Sequence, residues 1–154
     1  MRKKQLYTIL TLVLMIFIFS QSALPANLSD KESGIVVSML MKVIKVNEDT
    51  LTFLIRKSAH FMEYMILGCS LFLTVRAWLE ESTDGDRRIM WSSQKMNIAA
   101  FGIGTLYAIS DELHQSLVSG RSCELRDVLI DSAGVTCGIL VCSGLLCMFG
   151  KRKI

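Results

Sequence analysis

Two histidines and a group of carboxylates stand in stretches that are otherwise apolar. His60 and Glu63 are spaced i, i+3 and share one face of a helical turn. Asp111, Glu112, His114 and Gln115 form a second group, with Asp111 and Gln115 one turn apart, and Asp127 and Asp131 form a third with the same spacing. Arg56, Lys57, Arg121 and Arg126 flank them. An imidazole titrates near neutral pH, so His60 or His114, oriented by Glu63 or Asp111, is a candidate general acid or base. Glu112 completes the catalytic candidates. The same residues also make a binding set: the carboxylates accept hydrogen bonds, and the arginine fork suits a phosphate or carboxylate. A purely structural reading competes with both, in which the paired ions fasten helix ends together. His60, His114 and two carboxylates are metal-ligand types, but neither histidine has the spacing of a known ligand motif, and no metal is expected. No glycine-rich phosphate loop, nucleophile elbow or cysteine–histidine motif is present, and no cofactor is expected.

The elements that hold these residues follow from where charge is missing. The 154 residues are 51% hydrophobic and 20% charged, close enough to a soluble domain that composition decides nothing. Distribution does decide, because the charges are gathered into clusters that leave long uncharged runs. That pattern excludes a disordered chain and a secreted disulfide scaffold. A helix needs about 20 mostly apolar residues to cross the hydrocarbon core. The sequence predicts an all-α integral membrane protein of one domain over residues 1–154, with four transmembrane helices at about 6–24, 59–78, 96–117 and 128–149. The third is short on uncharged residues alone and is carried on through Leu117.

Between the first two spans, Ser29 and Glu32 have the spacing of a capping box. Beyond them Val36, Met39, Leu40, Val43 and Val46 recur at helical spacing opposite Ser38, Lys42 and Lys45. This predicts an interfacial amphipathic helix at about 35–46, the alternative being a half-buried helix of a small cap. Asn47–Thr50 ends it, and residues 50–58 lead into the second span. The first span also has the outline of a signal peptide, with Arg2-Lys3-Lys4 ahead of it and Ser20-Gln21-Ser22-Ala23 behind, but Leu24-Pro25 continues it poorly. Residues 80–94 are a polar connection. Gly134 and Gly138 make a GxxxG that permits close helix approach. The five cysteines form no disulfide framework, and Cys123 is expected as a free thiol.

An ionisable side chain at membrane depth costs about 2.5–3.5 kcal/mol on insertion scales, so the polar clusters need a reason to be there. By chain parity all three fall on one side of the membrane. That side carries four cations (Arg56, Lys57, Arg121, Arg126) against six carboxylates (Glu63, Asp111, Glu112, Glu124, Asp127, Asp131). With both termini inside, the cytoplasmic side holds the three cations at each chain end and Arg76, Arg87, Arg88 and Lys95. That is ten, against the seven outside: Lys31, Lys42, Lys45, Arg56, Lys57, Arg121 and Arg126. The excess favours cytoplasmic termini. The net charge of +3 is mostly membrane-flanking, and no basic face with interleaved aromatics suggests nucleic acid. The expected partner is the lipid bilayer.

Three stretches together resemble the VanZ-like family of bacterial membrane proteins. They are Arg56-Lys57-Ser-Ala-His60-Phe-Met-Glu63-Tyr64, Ser110-Asp111-Glu112-Leu-His114-Gln115, and Gly120-Arg121 with Arg126-Asp127-Val-Leu-Ile-Asp131-Ser-Ala-Gly134. Phe19-Ser20-Gln21 followed by serines looks like the family's segment after its first helix, and order and spacing agree from Phe19 to Gly138. Cys123 stands where a small residue is expected, and Asp131 where many members carry Asn. The resemblance implies a multi-pass protein of the bacterial cytoplasmic membrane, often in Gram-positive species. It also implies an association with low-level resistance to the glycopeptide teicoplanin, without supplying a mechanism.

Three functions fit this reading. The first is a cell-envelope protein whose outer-face polar pocket, built from Arg56, Lys57, His60, Glu63, Asp111, Glu112, Gln115, Arg121, Arg126, Asp127 and Asp131, binds a cell-wall precursor lipid or the glycopeptide itself. The second is a membrane enzyme using histidine and carboxylate acid–base chemistry on a lipid-linked cell-wall substrate. The third is a small proton-linked transporter or flippase subunit, weakened because the carboxylates gather at one face with no relay at the midplane.

Overall fold

The computed structural model describes residues 2–25, 34, 37–42, 46–81, 93–119, 121 and 123–150. Among them are four long helices and no strand: α1 (Lys3–Ser22), α2 (Glu48–Glu81), α3 (Ser93–Gln115) and α4 (Leu125–Gly150). In α1 the Gln5 side chain accepts from the Arg2 backbone N–H at 3.1 Å, occupying a donor that the first turn leaves orphaned. Pro25, which cannot continue the ladder, lies just past its end. At the start of α2, Asn47 Oδ1 accepts from the Asp49 N–H at 2.8 Å, and Glu48 and Asp49 place negative charge where the helix dipole is positive.

Three helices among the described residues are long and apolar enough to cross a membrane: Lys3–Ser22, Glu48–Leu79 and Leu125–Phe149. By this measure three of the four expected spans qualify. α3 has the length, 23 residues, but Asn97, Thr105, Ser110, Asp111 and Glu112 lower its apolarity. The second span also differs from the sequence reading. Residues 50–58 are no separate lead, because α2 runs unbroken for 34 residues from the Asn47 cap. At 1.5 Å per residue it is about 50 Å long, roughly 20 Å more than the hydrocarbon core. Of the expected interfacial helix, residues 37–40 are helical, while 35–36 and 43–45 lie outside the described residues. Burial there falls on Val37, and Met39 is exposed. The Ser29–Glu32 capping box and most of the polar connection at 80–94 also lie outside the described residues.

α2 is the axis of the bundle, touching α1, α3 and α4, with its most extensive contact along α4. The shared core draws on all four helices: Ile18 from α1, Tyr64, Leu67, Leu71 and Phe72 from α2, Ala100 and Ala108 from α3, and Val135 and Ile139 from α4. The α2–α4 seam is closed by small residues. A Cβ at Gly138 would collide with the Met65 carbonyl, one at Gly134 with the Phe61 carbonyl, and one at Gly68 with Val135 backbone. The expected GxxxG is thus used within the chain, letting two backbones touch. Between α1 and α2 the join is polar, Thr11 Oγ1 lying 2.7 Å from Ser70 Oγ and 2.9 Å from Thr74 Oγ1. Away from the core large apolar side chains face outward, among them Ile16, 66% exposed, and Met148, 70% exposed.

Candidate functional site

The antiparallel run of the helices brings the N-terminal half of α2, the end of α3 and the start of α4 to one end of the bundle. There, together with Gly34 and Val37, they line an open cavity of about 510 Å³. Arg56, Lys57 and His60 from α2, Gln115 from α3, Arg121 from the following turn, and Arg126 and Asp127 from α4 all reach its wall. Glu63, Asp111, Glu112, His114 and Asp131 do not line it. The candidate residues therefore divide into a wall and a layer behind it.

Behind the wall, Asp111 is fully buried and organises three helices around one oxygen. Its Oδ2 accepts from Ser22 Oγ of α1 at 2.7 Å, from Tyr64 OH of α2 at 3.2 Å, and from Gln115 Nε2 of its own helix at 3.2 Å. Gln115 Nε2 also lies 3.2 Å from Ser22 Oγ. With its amide nitrogen held this way, Gln115 turns its Oε1 outward, where the Arg121 guanidinium donates to it at 3.0 Å. A chain of hydrogen bonds thus runs from the buried carboxylate to a cation on the wall. Each bond in such a network polarises the next, while the second Asp111 oxygen, Oδ1, is buried without a hydrogen-bond partner.

The other candidates take different places. Glu112 Oε2 accepts from the Glu124 backbone N–H at 3.1 Å, next to the first residue of α4, so its carboxylate caps that helix. His114 stacks on Phe19 with ring centroids 4.0 Å apart, joining α3 to α1. Asp131 is buried and its Oδ2 has no hydrogen-bond partner, whereas Asp127, one turn nearer the cavity, pairs with Lys57. Glu63 is half-buried. Cys123 is exposed as a free thiol. No three His, Cys, Asp or Glu side chains among the described residues are grouped to hold a metal ion.

The wall has features that spacing did not reveal. Phe53 serves as a platform for two cations, the Arg126 guanidinium 4.9 Å and the Lys57 ammonium 5.6 Å from its ring centroid. Arg126 is further held by Glu124 at 2.7 Å. Glu48 and Asp49, from the first turn of α2, also reach the wall, so four cations there meet four carboxylates. The buried acids lie behind the wall, and this makes the surface presented to a ligand less negative than the sequence count implied. Ser22 and Tyr64 were not among the candidates. Tyr64 lies one turn after His60, and Ser22 lies in the serine-bearing stretch at the end of α1, the two signals that mark them.

A family model described as VanZ/LLP1 matches residues 7–148, a range that contains every residue of the cavity wall and of the network behind it. No curated protein and no solved structure matches the chain.

Proposed function

Because the chain belongs to the VanZ/LLP1 family, we propose that it is a VanZ-type protein of the bacterial cell envelope that binds an envelope component or a glycopeptide antibiotic in the cavity among α2, α3 and α4. In this reading all four helices cross the cytoplasmic membrane, both termini are cytoplasmic, and the cavity opens outward. What supports a fourth span is the sidedness of α3. Asp111, Glu112 and Gln115 face inward, while Ile98 (63% exposed) and Leu106 (69% exposed) face out, so mean apolarity understates its lipid-facing side. The length of α2 supports the height of the cavity, because its first turns outreach the hydrocarbon core and hold Arg56, Lys57 and His60 at headgroup level.

The observation that carries the reading is the chain from Asp111 through Gln115 to Arg121. A guanidinium pre-positioned by a buried network meets a carboxylate or phosphate with little loss of side-chain freedom, which is where binding free energy is usually forfeited. Glycopeptide targets and cell-wall precursor lipids present such groups. Protection against teicoplanin follows if the bound component is withdrawn from the drug, or the drug from its target.

The test is teicoplanin susceptibility in a susceptible Gram-positive host expressing wild type, Arg121→Gln or Arg126→Gln at matched membrane levels. Wild type should protect, and both variants should lose most of the protection. Full protection by both variants, or none by wild type, rejects the reading. A second reading is favoured by His60, whose imidazole lines the cavity: acid–base chemistry on a lipid-linked substrate. Turnover of a labelled envelope lipid by purified protein, lost in His60→Gln, would replace binding by catalysis.

A further inference from the structure

At the opposite end of the bundle α1, α2 and α4 part around a second cavity of about 530 Å³. Lys3, Lys4 and Tyr7 line it from the first turns of α1, Arg76 from the last turns of α2, and Leu73, Ala77 and Leu146 supply its apolar surface. Its charged wall residues are all cations, and no carboxylate among the described residues lines it. The other cavity, by contrast, balances cations with carboxylates.

Trp78, the next residue along α2, stands at this end. Its Nε1–H donates to Thr8 Oγ1 at 2.9 Å, and the Lys4 ammonium lies 4.5 Å from its ring centroid. Tryptophan settles at the boundary between headgroups and hydrocarbon, where its ring is in apolar surroundings and its N–H is not. Here that N–H is tied to α1, which fixes the depth of Lys4 relative to the ring. Level with the ring Leu6 is exposed, and further along α1 toward its middle so are Ile9 and Leu10. The order along the helix is therefore cations, an aromatic boundary, then apolar surface. A phospholipid has the same order: phosphate, glycerol, acyl chains.

We propose that this cavity holds the headgroup phosphate of an anionic phospholipid of the phosphatidylglycerol class, with the acyl chains laid against the apolar face of α1. Lys3, Lys4 and Arg76 surround the phosphate, and Tyr7 offers a hydroxyl donor. Net charge sets the selectivity, since a zwitterionic choline lipid brings its own ammonium into a wall that is already cationic. The acyl chains separate the lipid from a free phosphate, which would have nothing to place against Leu6, Ile9 and Leu10. The site lies outside the network that organises the other cavity, so it stands or falls independently of the function proposed above.

The experiment is thermal unfolding of the full chain in a neutral detergent, titrated with phosphatidylglycerol, phosphatidylcholine or glycerol 3-phosphate. Phosphatidylglycerol should raise the unfolding midpoint in a saturable manner, phosphatidylcholine only weakly, and glycerol 3-phosphate not at all at the same concentration. Arg76→Gln and Lys4→Gln should each raise the half-saturating lipid concentration about fivefold, the effect of roughly one near-surface cation. Lys3→Gln gives the same reading from an exposed position if either fails to fold. Lys95→Gln removes a charge at the same end, from the start of α3 and off the cavity wall, and should leave the titration unchanged. Equal stabilisation by the choline lipid, or an equal loss in Lys95→Gln, overturns the site in favour of diffuse surface charge. An equal shift with glycerol 3-phosphate overturns the lipid.

Discussion

Ser22 and Asp111 are 89 residues apart in the chain, and their side chains share a 2.7 Å hydrogen bond in the buried part of the bundle. Through that bond the end of α1 becomes part of the support for the cavity on the far side of α3. The same carboxylate oxygen takes Tyr64 and Gln115, so a change at any of the three donors should be felt at Arg121.

Asp111→Ala should destabilise the protein by about 3 kcal/mol, because it leaves the buried donors of Ser22, Tyr64 and Gln115 without their acceptor. Ser22→Ala alone should cost about 1 kcal/mol. Combining the two should cost less than the sum, since the Ser22–Asp111 bond is already lost and only the contact with Gln115 Nε2 remains to be removed. Reversible unfolding in mixed micelles measures all three. Strict additivity would show that the two side chains do not interact.

Glu112→Gln should keep most of the native stability, because an amide oxygen can still accept from the Glu124 N–H. Glu112→Ala should lose about 1–2 kcal/mol, the range of a lost helix cap. Equal behaviour of the two variants would mean that the charge, and not the acceptor, is what counts.

Gly138→Ala should loosen α2 from α4 and lower the yield of folded protein sharply, since the added methyl falls on the Met65 carbonyl. Gly144→Ala, on the same helix with open space around it, should be neutral or slightly stabilising. Retention on size exclusion after mild heating separates the pair. Matching behaviour would show that the seam tolerates more than its geometry allows.

Lys57 and Asp127 join α2 to α4 at the cavity mouth, both only slightly exposed. Lys57→Glu or Asp127→Lys alone should destabilise the protein by about 2 kcal/mol, leaving like charges together away from bulk water. The double exchange should recover at least half of that loss, measured by the same unfolding assay. Failure of the exchange to rescue would assign the effect to packing against Phe53 instead.

The sequence exposed the helices wherever an uncharged run made them visible, and it brought the polar clusters together through chain parity. It did not show where α2 begins. The turns before His60 carry Arg56 and Lys57, and Asn47 reads as a helix breaker when in fact it is a cap. Nor did it separate α3's two faces, because an apolarity average adds Asp111 to Leu106 although one points inward and the other out. Within the site, Lys57 and Asp127 were both candidates, but spacing could not say that they pair. Ser22 was hidden for a more basic reason: a hydrogen bond across 89 residues leaves no local pattern. His114 and Glu112 stood out by residue type, whereas the stack on Phe19 and the bond from the Glu124 N–H could not be read from spacing.

The glycine seam bears on how the cavity can move. Where α2 and α4 meet backbone to backbone at Gly68, Gly134 and Gly138 there is no side chain whose rotation could absorb a shift, so relative displacement there is resisted by the backbones themselves. Lys57 and Asp127 span that seam near its end and hold it shut there as well. Two walls of the cavity are consequently fixed with respect to each other. The rest of the lining, Gly34 and Val37 ahead of α2 and Gln115 and Arg121 at the end of α3 and beyond it, lies outside that seam. A ligand therefore meets two walls set by backbone contact and a third set by side-chain hydrogen bonds.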